Sequence, residues 1–346
     1  MIDLNYYMID LNYYMIDLNY YMIIFILFIL YICLLKKKYI LGGFNFRTPD
    51  IREYYLKKNM EIIDKDRILT IKKEKKKLEL TNYKLNCVNS AYMLDDKVCS
   101  KFLLQKYNFP TPKYLKIKNH SILIRNKVKN LINKYNLKYP LVIKPVHGSH
   151  GNGVKTDIKD FDNLMENIKK DYLIEEQLEG ENYRILLIDD KVISSVVCRE
   201  KPNVIGDGKS SFKELIKIKN ISSPYNLMPD YDLLNQNNIN DNTIIKKNKK
   251  IIINNVVNYH KGATLKYVPI TDFHKDNIEM FSKINNIFGS RLCGIDFIST
   301  DISKSYKDGY GAIIELNAGA HELIHYQNEF VSKEEFFDEV FEQLFK

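Results

Sequence analysis

Tyr139-Pro-Leu-Val-Ile-Lys-Pro-Val-His-Gly-Ser-His-Gly-Asn-Gly-Val154 is the stretch on which the fold turns. Leu141-Val-Ile-Lys144 reads as a short buried strand that ends in a charge. A loop carrying Gly148, Gly151 and Gly153 follows at once. Glycines let backbone N–H groups approach an anion closely, and a lysine at a strand end supplies a point charge for phosphate oxygens. The spacing is neither the Walker pattern nor G-x-G-x-x-G. Taken alone, the loop is also compatible with a plain turn.

Two further segments carry chemistry. Leu173-Ile-Glu-Glu-Gln-Leu-Glu-Gly-Glu-Asn-Tyr-Arg184 reads as a strand ending in acids and crossing to a second strand. Such a segment can hold an adenine edge and a ribose; by themselves these acids fit a solvated rim. Cys293-Gly-Ile-Asp-Phe297 is followed by Ala312-Ile-Ile-Glu-Leu-Asn317. Glu315 and Asn317 are two apart on a strand, so their side chains share a face. Oxygen ligands of this kind suit Mg²⁺ shared with substrate phosphates, and Asp296 on a neighbouring strand completes the set.

Around these motifs the pattern from about residue 84 is mixed α and β. Helices are expected over Val98 to Tyr107, Phe161 to Lys170, Phe212 to Lys219, Asp276 to Phe288 and Glu334 to Phe345. Strands are expected over Tyr172 to Glu176, Leu292 to Ser299 and Ala312 to Leu316. Tyr183 to Ile188 and Lys191 to Cys198 flank Asp189-Asp190 as a hairpin, and Gly206-Asp-Gly208 is a turn. The Asn-rich stretch 220–255 has little pattern and reads as a loop or an insertion.

The order Lys-Pro with its glycine loop, Glu-x-x-Leu-x-Gly, Gly-Ile-Asp and Glu-x-Asn resembles the ATP-grasp superfamily. Within it, the sequence looks most like the ATP-grasp modules of cyanophycin synthetase and of bifunctional glutathione synthetases. Asp95-Asp-Lys97 with Lys101 before Pro110-Thr-Pro112, Arg199 to Pro202 leading into Asn203-Val-Ile-Gly-Asp-Gly208, and Glu214-Leu-Ile add to that resemblance. It covers about residues 86 to 330. The resemblance implies an α/β fold of two α+β lobes clamping ATP, with Mg²⁺ or Mn²⁺. It implies that Lys97 and Lys144 contact ATP phosphates, and that 147–154, with His147, Gly148, Ser149, Gly151 and Gly153, form a mobile lid loop. Glu175 and Leu178 would line the adenine pocket. Asp296, Glu315 and Asn317 would hold the metal, with Arg184 and Arg199 facing phosphate or an acyl phosphate. A surface salt bridge is the alternative for either arginine.

The implied activity joins a carboxylate to an amine through an acyl phosphate. A phosphoryl transferase on the same fold and a lapsed nucleotide-binding protein tethered to a membrane remain alternatives. Asn182 stands where the look-alikes carry an acid, and Asn258 to Asp272 keeps little of their substrate-contacting stretch beyond Thr271, Asp272 and His274. The substrate is therefore an amino acid or peptide of undetermined identity.

Composition is that of an ordinary globular chain and not a disordered one: 346 residues, 45% hydrophobic and 27% charged. The formal charge of +9 accompanies an excess of Lys, Asn, Ile and Tyr, and no stretch interleaves basic and aromatic residues as RNA-binding segments do. Nucleic acid is not an expected partner, whereas a small anion is. The run Lys72 to Lys77 is expected as a solvated face or loop. Five cysteines, Cys33, Cys87, Cys99, Cys198 and Cys293, form no C-x-x-C pair, so neither a disulfide framework nor a zinc site is expected.

The first forty residues differ from the rest. Residues 1–21 are three copies of Met-Ile-Asp-Leu-Asn-Tyr-Tyr, expected to be unstructured. Met22 to Leu35 is continuously apolar and precedes Lys36, Lys37 and Lys38. Fourteen helical residues span roughly 21 Å against a hydrocarbon core of about 30 Å, so 22–38 is a membrane-anchor candidate only with flanking Tyr and Lys at the interfaces. An anchor so placed would keep the catalytic body in the cytosol. Residues 39–85 are a lead-in and 86–346 the expected ATP-grasp domain, with a lid subdomain over about 110–200. Self-association is left open.

Overall fold

The computed structural model describes residues 46, 49–81, 84–117, 124–148, 151–222, 226–257, 261–320, 323–326 and 331–346, with the backbone alone at 194–199. The heptapeptide repeat, the anchor candidate 22–35 and Ser149 lie outside the described residues, as do Cys33 and the side chains of Cys198 and Arg199. Among the described residues no helix is long and apolar enough to cross a membrane. Residues 43–346 form one unit.

In chain order the elements are α1 (Pro49–Lys57), β1 (Glu61–Lys65), β2 (Ile68–Lys73), β3 (Lys76–Thr81), α2 (Val88–Asp95), α3 (Lys97–Lys106), β4 (Tyr114–Ile117), α4 (Arg125–Lys134), β5 (Leu141–Pro145) and β6 (Lys155–Ile158). There follow α5 (Phe161–Asn167), β7 (Tyr172–Glu176), β8 (Glu181–Ile188), β9 (Lys191–Glu200), β10 (Asn203–Ile205), α6 (Phe212–Ser222), α7 (Tyr231–Gln236), β11 (Lys250–Ile252) and β12 (Thr264–Pro269). The chain closes with α8 (Lys275–Ser282), α9 (Ile284–Phe288), β13 (Leu292–Ser299), β14 (Gly311–Asn317), α10 (Leu323–Tyr326) and α11 (Lys333–Leu344).

Two antiparallel sheets position the site. One has the order β4-β7-β5-β6, and the other β12-β9-β8-β13-β14. Alternation along β5 and β7 sends Ile143 and Ile174 to one face, where Val128 and Ile132 of α4 and Leu164 of α5 bury them. That leaves Lys144 on the opposite face. Helix α5 ends earlier than its sequence pattern suggests, because Ile168 turns extended and is itself buried. The helical pattern from Asp276 is likewise split at Lys283 into α8 and α9.

Two regions carry more structure than the sequence pattern assigns to them. Residues 49–81 carry no assigned element in the lead-in, yet they form α1 and the sheet β1-β2-β3. Ile51, Tyr54 and Tyr55 of α1 and Leu69, Ile71, Leu78 and Leu80 of that sheet pack into one apolar cluster with Phe336, Phe337 and Phe341 of α11. The lysine run 72–77 spans the end of β2, the turn and the start of β3. The second is 220–255, which is more than a plain loop and holds α7 and β11. It has its own core of Leu227, Leu234, Ile239, Ile245, Ile251 and Ile253 under Phe212 and Leu215 of α6. Its apolar residues are spaced irregularly, so neither a helical nor a strand period exposes them.

Candidate active site

Helix α3 starts at Asp96, whose carboxylate accepts from the N–H groups of Val98 and Cys99 at 2.9 and 2.8 Å. Its buried face is Lys97, Ser100, Lys101 and Leu104, so the spacing that would normally bury apolar residues buries two lysines. Both find carboxylates on the sheets.

Lys144 and Glu175 share a face because Lys144 opposes Leu173 across β5 and β7, two residues from Glu175. Lys144 Nζ stands 3.0 Å from Glu175 Oε2 and donates to the Ile314 carbonyl at 3.3 Å. Lys101 Nζ stands 3.3 Å from Glu175 Oε1 and donates to Thr111 Oγ1 at 3.1 Å. All three charged groups are buried. Burial pulls the Lys101 ammonium down to about 8, against the attraction of Glu175. At Lys144 burial acts the same way, but Glu175 and Glu315 outweigh it and raise the pKa. Burial alone would raise the Glu175 carboxyl; Lys101 and Lys144 hold it below the usual carboxylate range.

Lys97 joins the two sheets. Its Nζ donates to the Gly148 carbonyl at 2.9 Å and stands 3.1 Å from Glu315 Oε1. His147 and Gly148 are exposed on the loop. Gly151 and Gly153 have φ of +68° and +73°. A Cβ on Gly153 would lie 2.9 Å from both Pro145 Cγ and the Tyr172 hydroxyl, so close approach and handedness both demand glycine there.

The acid–amide set lies across β8, β13 and β14. Asp296 opposes Glu315 on one side and Arg184 on the other, and Gly294 opposes Asn317. Arg184 Nη1 donates to Asp296 Oδ2 at 2.9 Å, and its Nη2 donates to the Gly319 carbonyl at 2.9 Å. Asn317 Nδ2 donates to the same Asp296 oxygen at 3.1 Å. A Cβ on Gly294 would lie 2.8 Å from Arg184 Cζ. The glycine of Gly-Ile-Asp is thus where the guanidinium crosses the strand.

The three expected metal ligands are brought together, each already charge-balanced or hydrogen-bonded. The donor set is oxygen-rich, and the Asn317 amide turns its nitrogen to Asp296, which directs its carbonyl oxygen elsewhere. Such a set fits a hard divalent cation that completes its sphere with phosphate. Among the described residues no group of three or more His, Cys, Asp or Glu side chains could hold a metal alone, so an ion here would depend on the amide and on substrate oxygens.

The other expected residues are placed less centrally. Leu178 is half-buried after Gln177, whose side chain ties down Asp157 with bonds of 2.7 and 2.9 Å. Arg199 lies on β9 opposite Asn182. Glu175 is no solvated rim; among the described residues it is one of the most buried acids. Cys293 is buried on β13, its thiol pushed up to about 12 by burial, as suits an inert core residue.

Lys101, Thr111 and Asp95 were not among the expected site residues. Asp95 Oδ1 accepts from the Ala318 N–H at 2.8 Å and so fixes the chain just beyond Asn317; burial raises its pKa. The signal for Lys101 was its spacing, one turn from Lys97 on the same helix face.

A lysine strand with a glycine loop, set against antiparallel strands that carry Asp, Glu and Asn, defines an ATP-grasp fold. Residues 94–213 match the RimK-like ATP-grasp domain. The chain is 25% identical over 250 residues to cyanophycin synthetase of Synechocystis, covering 66% of this chain and 28% of that protein. It is 26% identical over 257 residues to the glutathione biosynthesis bifunctional protein GshAB of Clostridium perfringens, covering 68% of this chain and 32% of that one. The bifunctional glutathione synthetase structure from Pasteurella multocida superimposes with a TM-score of 0.55 and 18% identity, over 84% of this chain and 42% of that chain. The chain thus spans less than a third of the length of these curated relatives.

Proposed function

We propose that the chain is an ATP-dependent carboxylate–amine ligase that works through an acyl phosphate on amino acid or peptide substrates. The observation that carries this is Lys97, which bridges the glycine loop at Gly148 and the acid–amide set at Glu315 with one ammonium group. A nucleotide whose phosphates replaced those contacts would lie between loop, lysines and carboxylates.

Lys97 and Lys144 would bind the phosphates, and the N–H groups of 147–154 would close over them. Glu175 and Leu178 would bound the adenine. Mg²⁺ or Mn²⁺ held by Asp296, Glu315 and Asn317 would withdraw charge from the phosphoryl oxygens. Arg184 and Arg199 would face the transferring group. In the first step a substrate carboxylate oxygen attacks the γ-phosphorus and ADP leaves. In the second the amine nitrogen attacks the acyl carbon, phosphate leaves, and the amine proton passes to solvent or phosphate. No side chain forms a covalent bond; positioning and charge neutralisation do the work.

The test is an ATP-turnover screen over amino acids and short peptides, with mass spectrometry of the products. ADP, phosphate and a new amide in equal amounts are expected, and hydroxylamine should trap a hydroxamate when the amine is withheld. AMP with pyrophosphate, or a phosphorylated product that survives added amine, would overturn the proposal.

A further inference from the structure

Lys101 has no part in the chemistry above, yet among the described residues it is the most buried charged side chain of the site, 1% exposed. Burying an ammonium is costly, and a leucine, as at Leu104 on the same face, would fill the space without that cost. Its surroundings account for the charge. One carboxylate, Glu175, faces two ammoniums: Oε1 stands 3.3 Å from Lys101 and Oε2 stands 3.0 Å from Lys144. Lys101 is further held by Thr111 Oγ1 and lies 5.7 Å from the centre of the Tyr114 ring.

Without Lys101, Lys144 and Glu175 would make a closed neutral pair. Turning Lys144 toward a phosphate would then strand a buried carboxylate, and an unpaired buried charge costs more than a pair gains. With Lys101 on the other oxygen, Glu175 stays paired whichever partner Lys144 takes. The same arrangement leaves one positive charge over, in a place sheltered from water, which favours an incoming anion.

We propose that Lys101 is a positioning residue, the fixed counter-ion of Glu175 that releases Lys144 to bind nucleotide phosphate. This rests on the reading of the site as a nucleoside triphosphate site. The ligand contact belongs to Lys144; Lys101 acts through Glu175.

The test is calorimetry of the full chain with Mg-ATP and with AMP, on wild type, Lys101→Met, Glu175→Gln and the double variant. Lys101→Met should weaken ATP by about tenfold and AMP by much less. In the Glu175→Gln background the same change should move ATP affinity by less than about threefold, since no carboxylate is left to trap Lys144. Lys101→Gln, which removes the charge but keeps a donor for Thr111, should repeat the selective loss and serves if the Met variant does not fold. A merely structural role predicts equal losses for ATP and AMP. Equal losses, or effects of the two substitutions that simply multiply, overturn this inference while leaving the ligase proposal standing. A wild-type chain that binds no ATP overturns both.

Discussion

The four-stranded and five-stranded sheets bring opposite charges to one site and balance them differently. On the five-stranded sheet each of the two site acids has its own cation: Asp296 has Arg184, and Glu315 has Lys97. On the four-stranded sheet a single acid, Glu175, is shared by Lys101 and Lys144. The first arrangement is a set of pairs that a divalent cation can enter by displacing lysine or arginine. The second is a cation surplus, in which Lys144 can turn to an anion while Lys101 stays on Glu175. In the proposed site, phosphate and metal would thus meet preformed surroundings of opposite character, carried by separate sheets and bridged by Lys97.

The sharpest way to break this comparison is on the acid side. Glu315→Gln or Asn317→Ala should cut turnover by about a thousandfold or more, as loss of several kcal/mol of charge stabilisation would, read as ADP release. On the cation side, Lys144→Ala should weaken ATP by about 10- to 100-fold, the worth of a charge-assisted hydrogen bond, and AMP by less, since its charge addresses the distal phosphates. Calorimetry with the two nucleotides separates the cases. Gly153→Ala tests the loop that joins them. Left-handed φ and a blocked Cβ together should cost about 1–3 kcal/mol, seen as a lowered melting temperature with weaker ATP binding.

A subtler difference concerns pH. The Glu175 pKa lies below its unfolded value, so its pairing contributes stability above about 4.5 that is lost as pH falls through the folded pKa. Wild type should therefore lose melting temperature more steeply in acid than Glu175→Gln does. The smallest effect is expected from deleting residues 1–38, which should leave nucleotide affinity unchanged and raise solubility. A truncated chain that no longer folds would mean that the apolar run 22–35 belongs to the core.

Much of the candidate site's local geometry was legible because short motifs report it. Glu-x-Asn on an apolar strand places two side chains on one face whatever surrounds it, and Glu315 and Asn317 do share β14. The strands 172–176 and 292–299 likewise follow from their residues alone. Lys101 is not legible in the same way, because a lysine at helical spacing reads as solvent-facing until the buried face of α3 is seen. Residues 49–81 and 220–255 were missed for a related reason. The apolar residues of 49–81 are buried by partners distant in sequence, Phe336 and Phe341, and those of 220–255 pack mainly on one another with no single period.

The sequence by itself determined the strands that carry the motifs, the glycine loop, the order of the motifs and the side chains that share a face, since these depend on backbone period and steric freedom within a few residues. Tertiary structure alone decided which charges meet. Glu175 between two lysines, Lys97 between loop and β14, and Arg184 lying over Gly294 are contacts across tens to hundreds of residues. A charge reveals its role only once burial removes water and leaves a particular counter-charge within reach.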